Sequence, residues 1–175
     1  MFFDRFGYAF TTSFFAGCLM NPLPETAPRA AWLDFTQCLL DSFRRWTGRE
    51  LLERRTIEID LLGLWNAPQV VVAHGTQSDP TFQYGNQKAL ILWELRLEEF
   101  LGMPSRLTAE PLHRDERQRL LERTREFGYV DDYCGVRISQ TGKRFMIEKA
   151  LLWTVLNRKG EFIGQAATFD HWSCL

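Results

Sequence analysis

The sequence predicts an α+β fold: a five-stranded antiparallel sheet with helices on one face, preceded by an amphipathic N-terminal helix. Three observations lead there. A helical apolar stripe opens the ordered part of the chain. Two short β-branched or aromatic runs follow, and then several helical segments. The chain closes on three longer strand-like runs joined by glycine-containing turns, an order that suits a sheet with helices packed on it.

The chain has 175 residues, 45% of them hydrophobic, with six tryptophans and fourteen phenylalanines. That length suits one domain, or one domain with an extension, burying roughly 70% of its unfolded surface. Formal net charge is −1, which gives no expectation of a direct grip on nucleic acid through phosphates. Arginines cluster at Arg44, Arg45, Arg49, Arg54 and Arg55 and again over residues 114–125, where interleaved acids mark a solvated helix face. Cys18, Cys38, Cys134 and Cys174 form no CxxC pair and lie at no zinc-like spacing with a histidine, so free thiols and no metal are expected.

Residues 1–30 read as a leader and linker, ending in the proline-rich "NPLPETAP". Its apolar stretch is too short to span a bilayer, so no transmembrane segment is expected. A cytoplasmic protein is the expectation, with Met20 a plausible alternative start. "FAGC", ending at Cys18, leaves a membrane-tethered lipoprotein as the alternative.

Residues 31–66 read as an N-terminal helical segment. In residues 31–47, Trp32, Phe35, Leu39, Phe43 and Trp46 recur at steps of three and four, the mark of one helix face. Leu33 and Leu40 lie beside that stripe. A second apolar flank invites another chain, so Trp32, Leu33, Phe35, Leu39, Leu40 and Phe43 are expected at a homodimer interface. Residues 51–65 carry a weaker helical pattern, stopped at Pro68.

Residues 67–172 read as the core. Residues 69–74 form a buried strand, and "GTQSDP" is turn chemistry. A second strand over 81–84 puts Phe82 and Tyr84 on one face. Asn86 is placed to cap a helix running to about residue 95. A short helical turn at 97–101 and the irregular "MPSRLTAEP" lead to an amphipathic helix over 112–127. Strands follow over 129–139, 144–156 and 162–169. By the period of two, Phe145, Ile147, Leu151, Trp153 and Val155 share one face of the middle strand.

The segments "APQVVVAHGTQSDPTFQYGNQKALILWE", "SRLTAEPLHRDERQRLL", "DDYCGVRISQTGKRFMIEKALLW" and "GQAATF" resemble the MEKHLA domain family over about residues 35–169. This PAS-like group occurs as small stand-alone bacterial and algal proteins and at the C-terminus of plant class III homeodomain–leucine zipper proteins. The resemblance implies a PAS-like fold and a sensory role through a small-molecule ligand or a partner. It carries over no catalytic residue and no cofactor. Segments like the plant DNA-binding and zipper regions do not occur in these 175 residues.

A PAS sheet and its short helices enclose an apolar space. Candidates to line it are His74, Tyr84, Trp93, Phe100, Met103, Phe145, Ile147, Trp153 and Gln165. Flavin adduct chemistry needs a cysteine that "MPSRLTAEP" lacks. Gln165 resembles the flavin-sensing glutamine, but its place directly after Gly164 points it to the other face. Haem needs an axial ligand, and His113 is the one candidate. Neither cofactor is therefore expected, and the ligand's identity stays open. Phosphate-binding glycine loops, GxSxG and HExxH are absent, and adjacent Asp131 and Asp132 point to opposite faces of a strand. A binding domain without catalysis is the leading expectation. An enzyme or carrier using the cavity and a pure interaction module are the alternatives.

Overall fold

The computed structural model describes residues 29–109 and 114–175. The leader through residue 28, with Cys18 and Met20, lies outside the described residues, as does His113. The elements are α1 (Arg29–Thr47), α2 (Ile57–Trp65), β1 (Val70–His74), β2 (Phe82–Gly85), α3 (Gln87–Trp93), α4 (Leu97–Phe100), a 3-10 turn at Ser105–Thr108, α5 (Arg114–Phe127), β3 (Tyr129–Ile138), β4 (Arg144–Leu156), β5 (Phe162–Phe169) and β6 (His171–Cys174). The strands form one antiparallel sheet in the order β2-β1-β5-β4-β3. β6 carries the last strand on past Asp170 and pairs with the first half of β4.

Helices cover both faces of the sheet. Val70 and Val72 pack with Trp93 of α3, Phe100 of α4 and Leu120 of α5 on one face. Val71, Ala73, Leu151, Trp153 and Val155 pack with α1 and α2 on the other. The expected N-terminal helix is therefore the cover of a second sheet face. Polar contacts fix its position. Trp46 Nε1 donates to the Thr154 carbonyl at 2.8 Å, and Trp153 Nε1 donates to the Leu39 carbonyl at 3.2 Å. Ser42 Oγ accepts from the Leu156 amide at 2.9 Å.

This packing occupies most of the positions expected at a homodimer interface. Trp32, Leu39, Leu40 and Phe43 are buried within the chain's own core, while Leu33 and Phe35 remain half-buried beside it. The sequence reading assigned one stripe to the sheet and left a flank over. The broad sheet face, extended by α2, takes most of both.

The second helix begins later than residue 51. Thr56 caps it, accepting from the Ile59 amide at 3.4 Å, and the preceding turn is held by Asp60. The carboxylate of Asp60 is buried. It accepts from Arg54 Nε and the Arg55 amide, both at 2.8 Å, and from Gln37 Nε2 at 3.4 Å. Burial pushes its pKa up, but the donated hydrogen bonds and the Arg54 charge outweigh that and hold it below the usual value.

Two bulges break the expected strand faces. In β4 one extra residue sits between Ile147 and Ala150 relative to β3, and Lys149 takes φ 52°. An inserted residue swaps the faces of everything beyond it. Phe145 and Ile147 therefore face α3–α5, whereas Leu151, Trp153 and Val155 face α1. In β2 the register shifts between Ala73 and His74, so Phe82 and Tyr84 also lie on opposite faces.

Candidate functional site

The face toward α3–α5 encloses a cavity of about 70 Å³. β1 contributes Val72 and His74, and β5 contributes Gln165, Ala167 and Phe169. Ile147, Ala150 and Leu152 of β4 form the floor, Tyr133 and Arg137 of β3 one side, and Leu120 and Leu121 of α5 another. Trp93, Ser105 and Thr108 complete the walls.

Four of the nine sequence candidates meet here: His74, Trp93, Ile147 and Gln165. Phe100, Met103 and Phe145 pack in the surrounding apolar cluster without lining the space. Tyr84 and Trp153 lie across the sheet, under α1. Tyr84 packs at a tilt against Trp32 with ring centroids 5.4 Å apart, and burial raises the pKa of its phenol. The β2 and β4 bulges account for these last two placements.

Gln165 faces the cavity rather than away from it. It pairs with His74 on β1 and with Thr154 on β4. Thr154 Oγ1 donates to the Thr124 carbonyl of α5 at 3.0 Å, which identifies the cavity side. Gln165 Nε2 donates to the Leu121 carbonyl at 2.7 Å, fastening α5 to the sheet. Beside it, a Cβ on Gly164 would stand 2.1 Å from the His74 carbonyl oxygen, so the close approach of β5 to β1 requires glycine. His74 is buried, and its Nδ1 donates to the Gly75 carbonyl at 3.0 Å.

Tyr133 and Arg137 were missed. Both lie in β3, two steps of two apart, with Gly135 between them. A Cβ at Gly135 would come within 2.1 Å of the Tyr133 hydroxyl, so glycine lets that side chain lie along the strand. Arg137 stacks on the Tyr133 ring at 5.5 Å and donates to its hydroxyl at 3.3 Å and to the Val136 carbonyl at 2.8 Å. The spacing Tyr-x-Gly-x-Arg carries this signal in the sequence. Mostly apolar walls with a few polar groups are the usual make-up of a small-ligand site. At about 70 Å³ the space falls well below the roughly 300–1,000 Å³ of drug-sized ligand pockets. A flavin ring system does not fit it as it stands.

A wider, open groove of about 610 Å³ lies elsewhere, bordered by Arg49, Glu50, Asp131, Lys149 and Asp170. All five charged groups are exposed. Among the described residues no cluster of histidine, cysteine, aspartate and glutamate is arranged to hold a metal ion, and no helix is long and apolar enough to cross a membrane.

A sheet in this order, with a cavity under its short helices, defines a PAS-like domain. Solved structures agree at the level of fold. The PAS domain of a protein from Colwellia psychrerythraea matches with a TM-score of 0.57 at 12% identity, over 68% of this chain and 96% of that one. An RNA-binding light-oxygen-voltage receptor matches with a TM-score of 0.53 at 19% identity, over 64% of this chain and 31% of that one. The profile of the MEKHLA domain matches residues 33–174, and the chain belongs to that family. Among curated proteins, the homeobox-leucine zipper protein HOX29 of Oryza sativa subsp. japonica is 26% identical over 149 residues, 83% of this chain and 17% of that protein. ATHB-15 of Arabidopsis thaliana, another homeobox-leucine zipper protein, is 25% identical over 163 residues, 89% of this chain and 18% of its own length. The chain thus spans less than a fifth of either plant protein.

Proposed function

We propose that this chain is a sensory domain that binds a small molecule in the cavity between the sheet and α3–α5, without catalysis of its own. The observation that carries the reading is the cavity itself: apolar walls with His74, Gln165, Tyr133 and Arg137 set among them. The PAS-like fold supports it, because such folds commonly use this space for ligands. The ligand must be small, in keeping with about 70 Å³. Native mass spectrometry of the purified chain tests the reading, with Ala150→Phe as a variant that fills the floor. A small molecule retained by the wild type and lost from Ala150→Phe supports it. Equal retention by both places the ligand elsewhere and overturns it.

The same reading has the chain act as a homodimer and make no direct contact with nucleic acid. With much of α1 already buried, Leu33 and Phe35 are the positions left to such an interface. Sedimentation equilibrium at micromolar concentration checks this, and a monomer mass throughout would remove the dimer.

A further inference from the structure

Arg137 sits in the cavity wall with only 9% of its surface exposed. A guanidinium carries its charge at every physiological pH and offers five N–H donors. Two contacts are made, to the Val136 carbonyl and the Tyr133 hydroxyl, and both acceptors are neutral. No carboxylate pairs with it among the described residues. A charge this buried is costly unless an opposite charge meets it. The cavity lining holds a second unmet donor. Trp93 packs edge-on against Phe145, the direct cross-strand partner of Arg137. Its Nε1 is buried without an acceptor. Donors in excess, one of them cationic, call for an acceptor that is negatively charged. The remaining walls, such as Val72, Leu120, Ile147, Leu152 and Phe169, are apolar.

We infer that the cavity binds a small organic carboxylate, its anionic head on Arg137 and its short hydrocarbon body against Ile147, Leu152 and Leu120. This deepens the proposed small-molecule reading and rests on it. The volume limits the ligand to roughly four to eight heavy atoms. Tyr133 is the positioning residue: its ring supports the guanidinium and its hydroxyl fixes one N–H, leaving others for the ligand.

Isothermal titration and thermal shift on the full chain test this. The probes are the acids from acetate to hexanoate, together with 2-methylpropanoate, each set against its neutral amide. The wild type is expected to bind at least one acid and to bind it better than its amide. Arg137→Met, which keeps length and apolar contact, is expected to weaken that acid by roughly 10- to 100-fold, as loss of charged hydrogen bonds does, and to leave the amide unchanged. Tyr133→Phe keeps the ring and is expected to weaken the acid by a smaller factor. If Arg137→Met fails to fold, the acid-to-amide ratio in the wild type and in Tyr133→Phe decides. Amides that bind as well as their acids, untouched by either substitution, overturn the carboxylate inference while leaving a ligand-binding cavity. Failure of every acid and every amide to bind also overturns the carboxylate inference, and the small-molecule reading then stands or falls on the native mass spectrometry.

Discussion

Asn86 shows how much one buried side chain can organise. Its Oδ1 accepts from the Ala89 amide at 3.1 Å, capping α3, and from the Val71 amide at 3.0 Å in β1. Its Nδ2 donates to the Gln69 carbonyl at 2.8 Å. The capping role was legible from the sequence, since asparagine before a helical run has few other uses. The link to β1 was not, because nothing local in the sequence brings residue 86 beside residue 71. Asn86→Ala should remove the cap and leave the Val71 amide unsatisfied, costing about 3 kcal/mol in chemical denaturation. A loss typical of a cap alone, about 1 kcal/mol, would show that the β1 contact contributes nothing.

Glu94 belongs to the same scale. It ends α3 in the left-handed conformation, φ 57°, and reaches the β3–β4 turn. There it accepts from the Lys143 ammonium, the Thr141 hydroxyl and Ser139 Oγ. Those hydrogen bonds, Lys143 first, hold its pKa at about 2 against an ordinary value of 4.5. Because the folded pKa is the lower one, the contact stabilises fully above the ordinary value and is lost as pH falls toward the folded value. Glu94→Gln should therefore melt below the wild type at neutral pH, the gap closing between pH 4.5 and about 2. Added salt should narrow it, since the Lys143 contact is exposed to solvent. A gap independent of pH would remove the ion pair as its cause.

At the scale of elements, nearly every helix and strand was legible from periodicity, capping residues and glycine turns. What was not legible is which way each strand faces. Period-two reasoning holds within an unbroken ladder, and β2 and β4 are both broken by an extra residue. Lys149 gives no advance notice, because lysine is not a residue that marks a left-handed turn. Four lining candidates reached the cavity, while Tyr84 and Trp153 were carried to the other face by these bulges. For α1, the stripe was legible but the breadth of the surface receiving it was not. Leu40 is buried under that helix with 1% exposure. Leu40→Glu should therefore unfold the domain, costing at least about 4 kcal/mol from lost packing and a buried charge. Leu33→Glu, at a half-buried position, should cost much less. A folded, stable Leu40→Glu protein would contradict the observed docking of α1.

At the scale of the whole molecule, one sheet separates two cores. Successive residues of β1 alternate between them: Val70 and Val72 toward the cavity, Val71 and Ala73 toward α1. The cavity and the N-terminal helix are thus one strand's thickness apart.

The unmet indole N–H of Trp93 has an optical consequence. An indole in dry, rigid surroundings emits at short wavelength, and an acceptor arriving at its N–H shifts that emission. Trp153, across the sheet, already donates to the Leu39 carbonyl and has no such opening. The fluorescence difference between the wild type and Trp93→Phe isolates the cavity's own component. Filling the cavity should displace that component toward longer wavelength and leave the rest of the spectrum where it was, so that the protein carries a built-in gauge of its own occupancy.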